Sequence, residues 1–209
     1  MTVIAVAGTG TEVGKTFVTA ALARELRARG VTVAARKPVL SYAPGDPTTD
    51  AELLAAATGE DADAVCPPHR RLGLPMAPPM AAAALGLAPF TIAELAAEVR
   101  PAARTVTLFE TAGGVRSPIA ADGDTRTLID ALGPSLVVLV ADAGLGTINV
   151  VRMSLDALSG HEVCTILNRY DASDDLHCRN AEWLRTKTAA DVVTSVDTLA
   201  RRVRAVAGR

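Results

Sequence analysis

The sequence predicts an α/β fold, a mostly parallel central sheet with helices on both faces. Three observations predict it. Short runs rich in Val, Ile and Leu alternate along the chain with longer stretches of helical periodicity. The first run and SLVVLVAD (135–142) are almost continuously apolar, as strands are when helices cover both faces of a parallel sheet. The first run also leads into the first helical stretch through a loop holding Gly8, Gly10 and Gly14.

The elements follow in order. TVIAVAG (2–8) is β-branched and closes on a glycine, which suits a buried strand. KTFVTAALARELRARG (15–30) sets apolar residues at helical spacing and ends on Gly30, a C-cap signal. VTVAARK (31–37) returns to strand character, so residues 1–37 read as β-α-β with a parallel pair, the second strand beside the first. Further strands are expected in TVTLFET (105–111), SLVVLVAD (135–142) and EVCTILNR (162–169). Helices are expected at 50–58, 91–100, 146–158, 174–188 and 195–207. The proline-rich stretch 66–80 reads as a loop entering a short Ala-rich helix, and it is too short to be an interdomain linker. One domain over 1–209 is the expectation.

Composition narrows the function classes. With 21 Lys+Arg against 23 Asp+Glu the formal net charge is −2, which argues against a nucleic-acid partner. The N-terminal apolar run has no basic segment ahead of it, and LVVLVADAGLG is far too short to span a bilayer. A soluble, cytoplasmic protein with no membrane partner is expected. Cys66, Cys164 and Cys178 are odd in number without CxxC spacing, and the three histidines are scattered, so neither a disulfide framework nor a zinc site is indicated.

The loop after the first strand carries the first chemistry. Small residues between a strand end and a helix start let backbone N–H groups approach phosphate oxygens. Gly8, Gly10, Glu12, Val13 and Gly14 form this candidate cradle. Lys15 is placed to neutralise β- and γ-phosphates, and the Thr16 hydroxyl to ligate Mg²⁺. The plain alternative is a tight turn with an exposed lysine. Five residues, TGTEV, separate Gly8 from Gly14, one more than in the commonest phosphate loop. Partitioning ATPases carry an extra lysine early in such a loop, where this chain has Gly8.

Three more polar residues end or follow strands, where open α/β sheets place ligands. Lys37, in RKPVLS, either offsets charge on a transferring phosphoryl group or is a surface lysine. Asp50, in TTDAELL, is either a metal ligand or a helix N-cap. Glu110 closes a strongly apolar strand, a costly position for a carboxylate without a cation partner. Thr16, Asp50 and Glu110 together would make an all-oxygen Mg²⁺ site. A further segment, ADAGLGTIN, opens a helix whose free N–H groups suit a carboxylate or phosphate. Asn149 within it also suits a capping or packing role.

In order and spacing, GTGTEVGKT, KPVLS, TDA, ETAGG and ADAGLGTIN resemble the dethiobiotin synthetase family, from about residue 3 to residue 170. The resemblance implies a three-layer fold of the P-loop NTPase kind and an ATP- and Mg²⁺-dependent ligase. Such enzymes carboxylate 7,8-diaminopelargonate with CO2 and close a cyclic urea through a carbamic–phosphoric anhydride, as homodimers with shared active sites. Carried over, Lys15 and Lys37 steady the carbamate and phosphoryl group, while Thr11 and Ser41 contact the reacting diamine. Thr16, Asp50 and Glu110 match Mg²⁺ ligands. Gly146, Thr147, Ile148 and Asn149 match the helix start that receives the partner subunit's substrate carboxylate, and Asn168 matches a residue that reads the base. The bland alternative for Asn168 is a strand-end turn.

The chain departs from the family pattern at four places. Tyr42 and Thr111 stand where glycines are usual, and Val150 stands where histidine is common. No Gly-x-Ile-Pro segment occurs in the C-terminal third. Thr111 is expected to restrict the backbone beside Glu110. These changes spare the phosphate and metal parts and fall on the walls around substrate and base. They leave open a ligase for another small amine, a nucleotide switch, or a homologue that binds nucleotide without turnover.

Overall fold

Ile4 to Ala7 are fully buried, and their side chains alternate between two separate hydrophobic clusters. Ile4 and Val6 point to one face of the sheet and Ala5 and Ala7 to the other, the period-two consequence of the pleat. These residues belong to β1 (Thr2–Gly8), the strand around which the fold is arranged in the computed structural model, which describes residues 2–99, 106–188 and 190–208.

In chain order, β1 is followed by α1 (Lys15–Ala28), β2 (Val33–Arg36), β3 (Leu40–Ser41), α2 (Asp50–Thr58), α3 (Ala62–Val65) and β4 (Arg71–Leu72). Next come α4 (Pro78–Ala84), α5 (Ile92–Glu98), β5 (Val106–Glu110), β6 (Pro118–Ala120), β7 (Gly123–Asp124) and α6 (Thr125–Leu132). The chain continues through β8 (Leu136–Asp142), α7 (Thr147–Ala157), β9 (Val163–Asn168), α8 (Asp175–Lys187), β10 (Asp191–Val193) and α9 (Val196–Ala207).

Six strands form one sheet in the order β10-β9-β8-β1-β5-β2, and every neighbouring pair is parallel. Val18, Leu22 and Leu26 of α1, spaced four apart, are wholly buried on one face with α2 and α9. Residues of α6, α7 and α8 pack on the other face with Val137 and Leu139. The expected α/β class, with helices on both faces, is what the chain adopts.

The expected β1–β2 pair is not formed. β5 lies between them, pairing with both. β5 is buried along its whole length, and only an interior place with a neighbour on each side satisfies its backbone. The register sets Arg36 beside Phe109 and Val6 beside Glu110, so Lys37 and Glu110 leave the sheet side by side.

The stretch 66–80 is more structured than a loop. It holds a 3-10 turn (Pro68–Arg70), β4, and the start of α4, whose first residue is Pro78. Proline is favoured at a helix start because its missing N–H would be unpaired there anyway. Arg70 anchors the stretch through two bonds to the Glu98 carboxylate, 2.9 and 2.8 Å. Two small sheets, parallel β3–β4 and antiparallel β6–β7, flank the main one. Thr105 and Arg100, at the ends of an expected strand and an expected helix, lie outside the described residues.

Candidate active site

The loop leaving β1 is shaped by close approaches. A Cβ on Gly8 would lie 3.0 Å from the Gly10 carbonyl oxygen and 3.0 Å from Lys15 Cδ. Gly14 caps α1 in a left-handed conformation (φ 89°), and a Cβ there would lie 2.1 Å from Asn168 Nδ2. Glu12 is also left-handed (φ 59°). The loop folds over its own lysine: Lys15 Nζ donates to the Gly10 carbonyl at 2.9 Å. Val18 N–H takes the Gly14 carbonyl, which leaves the earlier N–H groups of α1 to face a ligand.

Lys37 and Glu110, set side by side by the sheet register, meet α1 and α2. Lys37 Nζ donates to Glu110 Oε1 at 2.5 Å and to Asp50 Oδ2 at 2.8 Å. Thr16 Oγ1 donates to the same Glu110 oxygen at 2.8 Å. Asp50 is held by the start of α2, where Thr49 and Glu52 form a reciprocal capping box. The N-cap is therefore Thr49, and Asp50 is the first helical residue with its carboxylate turned to Lys37. Lys37 is not a surface lysine either, being 3% exposed.

Burial opposes a charge on both lysines, with different outcomes. In Lys15, burial first and then the neighbouring Lys37 lower the pKa to about 8. In Lys37, burial is outweighed by the Glu110 and Asp50 carboxylates, and its pKa is raised. Burial likewise opposes the charge on Asp50, but Lys37 holds its carboxyl below the ordinary value.

A cavity of about 580 Å³ opens above these groups. Of the residues singled out in the sequence, Thr11, Glu12, Gly14, Lys15, Thr16, Lys37, Ser41 and Asp50 line it. Glu110 lies fully buried beneath, its Oε1 shared by Thr16 and Lys37 and its Oε2 unpartnered among the described residues. Ser41 Oγ is also buried without a partner among the described residues. Gly10 and Val13 instead line a smaller cavity of about 260 Å³ with Gly146 and Thr147. There α7 begins after a left-handed Gly146, and the Thr147 hydroxyl is buried and unpartnered among the described residues. Ile148 is half-buried, while Asn149 is exposed and, among the described residues, its side chain reaches only Met153 Sδ at 3.6 Å. Asn168, at the end of β9, donates to the Val13 carbonyl at 2.9 Å and so braces the loop from behind.

Arg169 was not singled out by the sequence. It lines the larger cavity in a left-handed conformation (φ 56°) and donates to the Glu12 carbonyl at 2.8 Å and to Asp142 Oδ2 at 2.6 Å. Its signal was its place directly after Asn168 at a strand end. Thr111 does not act as expected. Only Glu12 and Arg169 are left-handed non-glycines among the described residues, and Thr111 N–H simply continues the ladder to the Val6 carbonyl at 3.0 Å. The turn that needs a left-handed residue falls at Gly113 (φ 65°). Tyr42 packs against the core on the α2 side, and it does not line the 580 Å³ cavity. At the C-terminal side, β10 ends at Val193 and α9 starts at Val196, which confines the connection there to two residues.

A glycine-bearing loop at a helix start, two buried lysines and two carboxylates thus meet at the carboxyl ends of parallel strands, where open α/β sheets place their ligands. A family model described as an AAA domain matches residues 2–204. Among solved structures, chloroplast FtsY from Physcomitrella patens superposes with a TM-score of 0.52 at 18% identity, over 98% of this chain and 64% of that one. The septum site-determining protein MinD from Pyrococcus horikoshii, complexed with Mg-ADP, gives 0.51 at 17% identity, over 97% and 84%. These likenesses establish the fold. The chain is 40% identical over 178 residues to the ATP-dependent dethiobiotin synthetase BioD of Methylobacterium nodulans, covering 78% of this chain and 77% of that protein. It is 34% identical over 203 residues to BioD of Rhodococcus jostii, covering 94% and 86%. Identity at this level, over 78% and 94% of the chain, shows that the chain belongs to the family of ATP-dependent dethiobiotin synthetases.

Proposed function

We propose that the chain is an ATP- and Mg²⁺-dependent ligase of biotin biosynthesis, which carboxylates 7,8-diaminopelargonate with CO2 and closes the cyclic urea of dethiobiotin. In a chain of this family, the observation that carries the reading is the meeting of Lys15, Lys37, Thr16, Asp50 and Glu110 around one cavity.

The N–H groups at the start of α1 receive the phosphates of ATP, and Lys15 exchanges its Gly10 carbonyl for phosphate oxygens. Asn168 has its amide nitrogen committed to Val13 and keeps its carbonyl oxygen for a donor on the base. Thr16, Asp50 and Glu110 are the residues that would hold Mg²⁺. The unpartnered, fully buried Glu110 Oε2 and the purely oxygen donor set fit a hard cation. When bound, the ion screens the triphosphate and polarises its γ-phosphoryl group.

Thr11 and the unpartnered Ser41 hydroxyl hold the diamine against the loop. One amine adds CO2 and loses a proton, giving a carbamate. A carbamate oxygen forms a bond to the γ-phosphorus as the bond to ADP breaks, and Lys37 and Lys15 balance the negative charge on the groups in transit. The neighbouring amine then bonds to the carbamoyl carbon, phosphate leaves, and a proton is released. What the residues supply is position and charge, which is most of what phosphoryl transfer needs.

The reading includes a cytoplasmic homodimer. Leu145, just before α7, is 93% exposed and Met153, two turns into it, 64%, apolar surface on either side of Gly146–Asn149 suited to a second copy whose substrate carboxylate that helix start would receive. Among the described residues no helix is long and apolar enough to cross a membrane. The test is ADP release with ATP, Mg²⁺, bicarbonate and 7,8-diaminopelargonate, with dethiobiotin identified by mass. Release should depend on the diamine and fall by on the order of a hundredfold in Lys37→Ala. Diamine-dependent release no greater than in that variant overturns the reading.

A further inference from the structure

Thr11 stands where three cavities meet. It lines the one above Lys15, a second of about 570 Å³ that runs along α7 past Met153, and a third of about 460 Å³. The third also shares Glu12, Ser41 and Gly113 with the first. Beyond that border it is lined by residues 75–78 and Pro118, all apolar, and by Ser117, whose Oγ accepts from Gly114 N–H at 2.8 Å. Among the described residues that line it only Glu12 is charged, and Glu12 sits on the shared border.

Residues 75–78 make a stiff wall with one soft place. Met76 N–H donates to the Leu74 carbonyl at 2.8 Å, Ala77 is the N-cap of α4, and Pro78 is its first residue. The rings of Pro75, Pro78 and Pro118 fix the backbone at three points of the wall, so it does not close on a small group. Met76, 47% exposed, is the long unbranched side chain among them, with three rotatable bonds to adjust to an occupant. A methyl group fills about as much space as one water molecule, ~30 Å³, which is a small part of this cavity.

A vicinal diamine held at Thr11 and Ser41 with its amines toward the phosphates has two carbon substituents to place. The acid chain takes the groove past Met153, toward the α7 start of a second copy. We infer that the 460 Å³ cavity takes the other substituent, and that the site accepts vicinal diamino acids whose alkyl end is longer than the methyl of 7,8-diaminopelargonate, with Met76 setting the length. The inference rests on the proposed function and adds a substrate class to it. Each methylene moved from water into such a pocket gains up to about fourfold in affinity.

Diamine-dependent ADP release by the full chain, with ATP, Mg²⁺ and bicarbonate, is the test. The probes are 7,8-diaminopelargonate and 7,8-diaminoundecanoate, the same acid chain ending in propyl, with each cyclic urea identified by mass. The wild type should use the propyl homologue with a kcat/KM equal to or above that for 7,8-diaminopelargonate, by up to about fourfold per methylene. Met76→Trp, which takes up room in the cavity, should cut the propyl-to-methyl ratio of kcat/KM at least about tenfold. Met76→Ala, the opposite change, is the second variant and should raise the same ratio for a butyl homologue, 7,8-diaminododecanoate. A wild-type kcat/KM lower for propyl than for methyl overturns the inference and leaves the proposed function standing, and it is the result expected if a second copy fills the cavity instead. Ratios unmoved in both variants overturn it as well. A wild type that turns over none of the diamines overturns the proposed function, and the inference with it.

Discussion

Lys15 and Lys37 are both buried, yet their surroundings send them in opposite directions. Lys37 has two carboxylates in direct contact, while Lys15 has a carbonyl and the charge of Lys37 nearby. With its pKa near 8, about half of Lys15 is neutral at pH 8. A bound triphosphate favours the ammonium and raises that pKa, so nucleotide binding takes up a proton at pH 8 and almost none at pH 6. The check is the ATP-binding enthalpy in buffers of different ionisation enthalpy. It should vary with buffer at pH 8 with the sign of proton uptake, and a buffer-independent value there would contradict the assignment. The sequence identified both lysines but not their difference, because that depends on Glu110, which lies 73 residues from Lys37 along the chain.

At the scale of elements, the phosphate loop and the end of β9 form one unit. Asn168 holds the Val13 carbonyl, Arg169 holds that of Glu12, and Gly14 is pressed against the Asn168 amide. Gly14→Ala meets both a left-handed backbone and a Cβ 2.1 Å from Asn168 Nδ2, so β9 and the loop must part. Gly10→Ala adds a Cβ with no atom within 4 Å. ATP titration should find binding lost or weakened on the order of a hundredfold in Gly14→Ala, and thermal melting should find Gly10→Ala unchanged in stability. Similar behaviour in the two variants would remove the reason given for Gly14. The long apolar strands β1, β8 and β9 were legible to within a residue or two at each end. The two- and three-residue strands β3, β4, β6, β7 and β10 were not, since so few residues show no period. Pro78 and Pro79 looked like loop residues because proline both breaks helices and begins them.

At the scale of the whole molecule, the sheet order places the chemistry. The chain departs from β1 to the far edge at β2, returns to β5, then crosses to β8 on the other side of β1. Ligand sites of open parallel sheets form where the chain reverses in this way. The motifs in the sequence named the residues gathered there, but the order of strands was not legible. Local patterns do not record which strand sits between which, and the expected β1–β2 pair failed for that reason. The placement of Lys37 between Glu110 and Asp50 has one more consequence. The two carboxylates share a cation that belongs to the chain, so loading a divalent ion on them is an exchange, and the ion's affinity is a difference between two cations. Removing the resident ammonium should therefore tighten the site. Lys37→Ala should melt below the wild type without added metal, and Mg²⁺ should raise its Tm more than it raises the wild type's. An equal or smaller rise would mean that lysine and metal do not compete. If they do, the ion that completes the site also frees Lys37 to turn toward the substrate, and arrival of the metal becomes the event that arms the lysine.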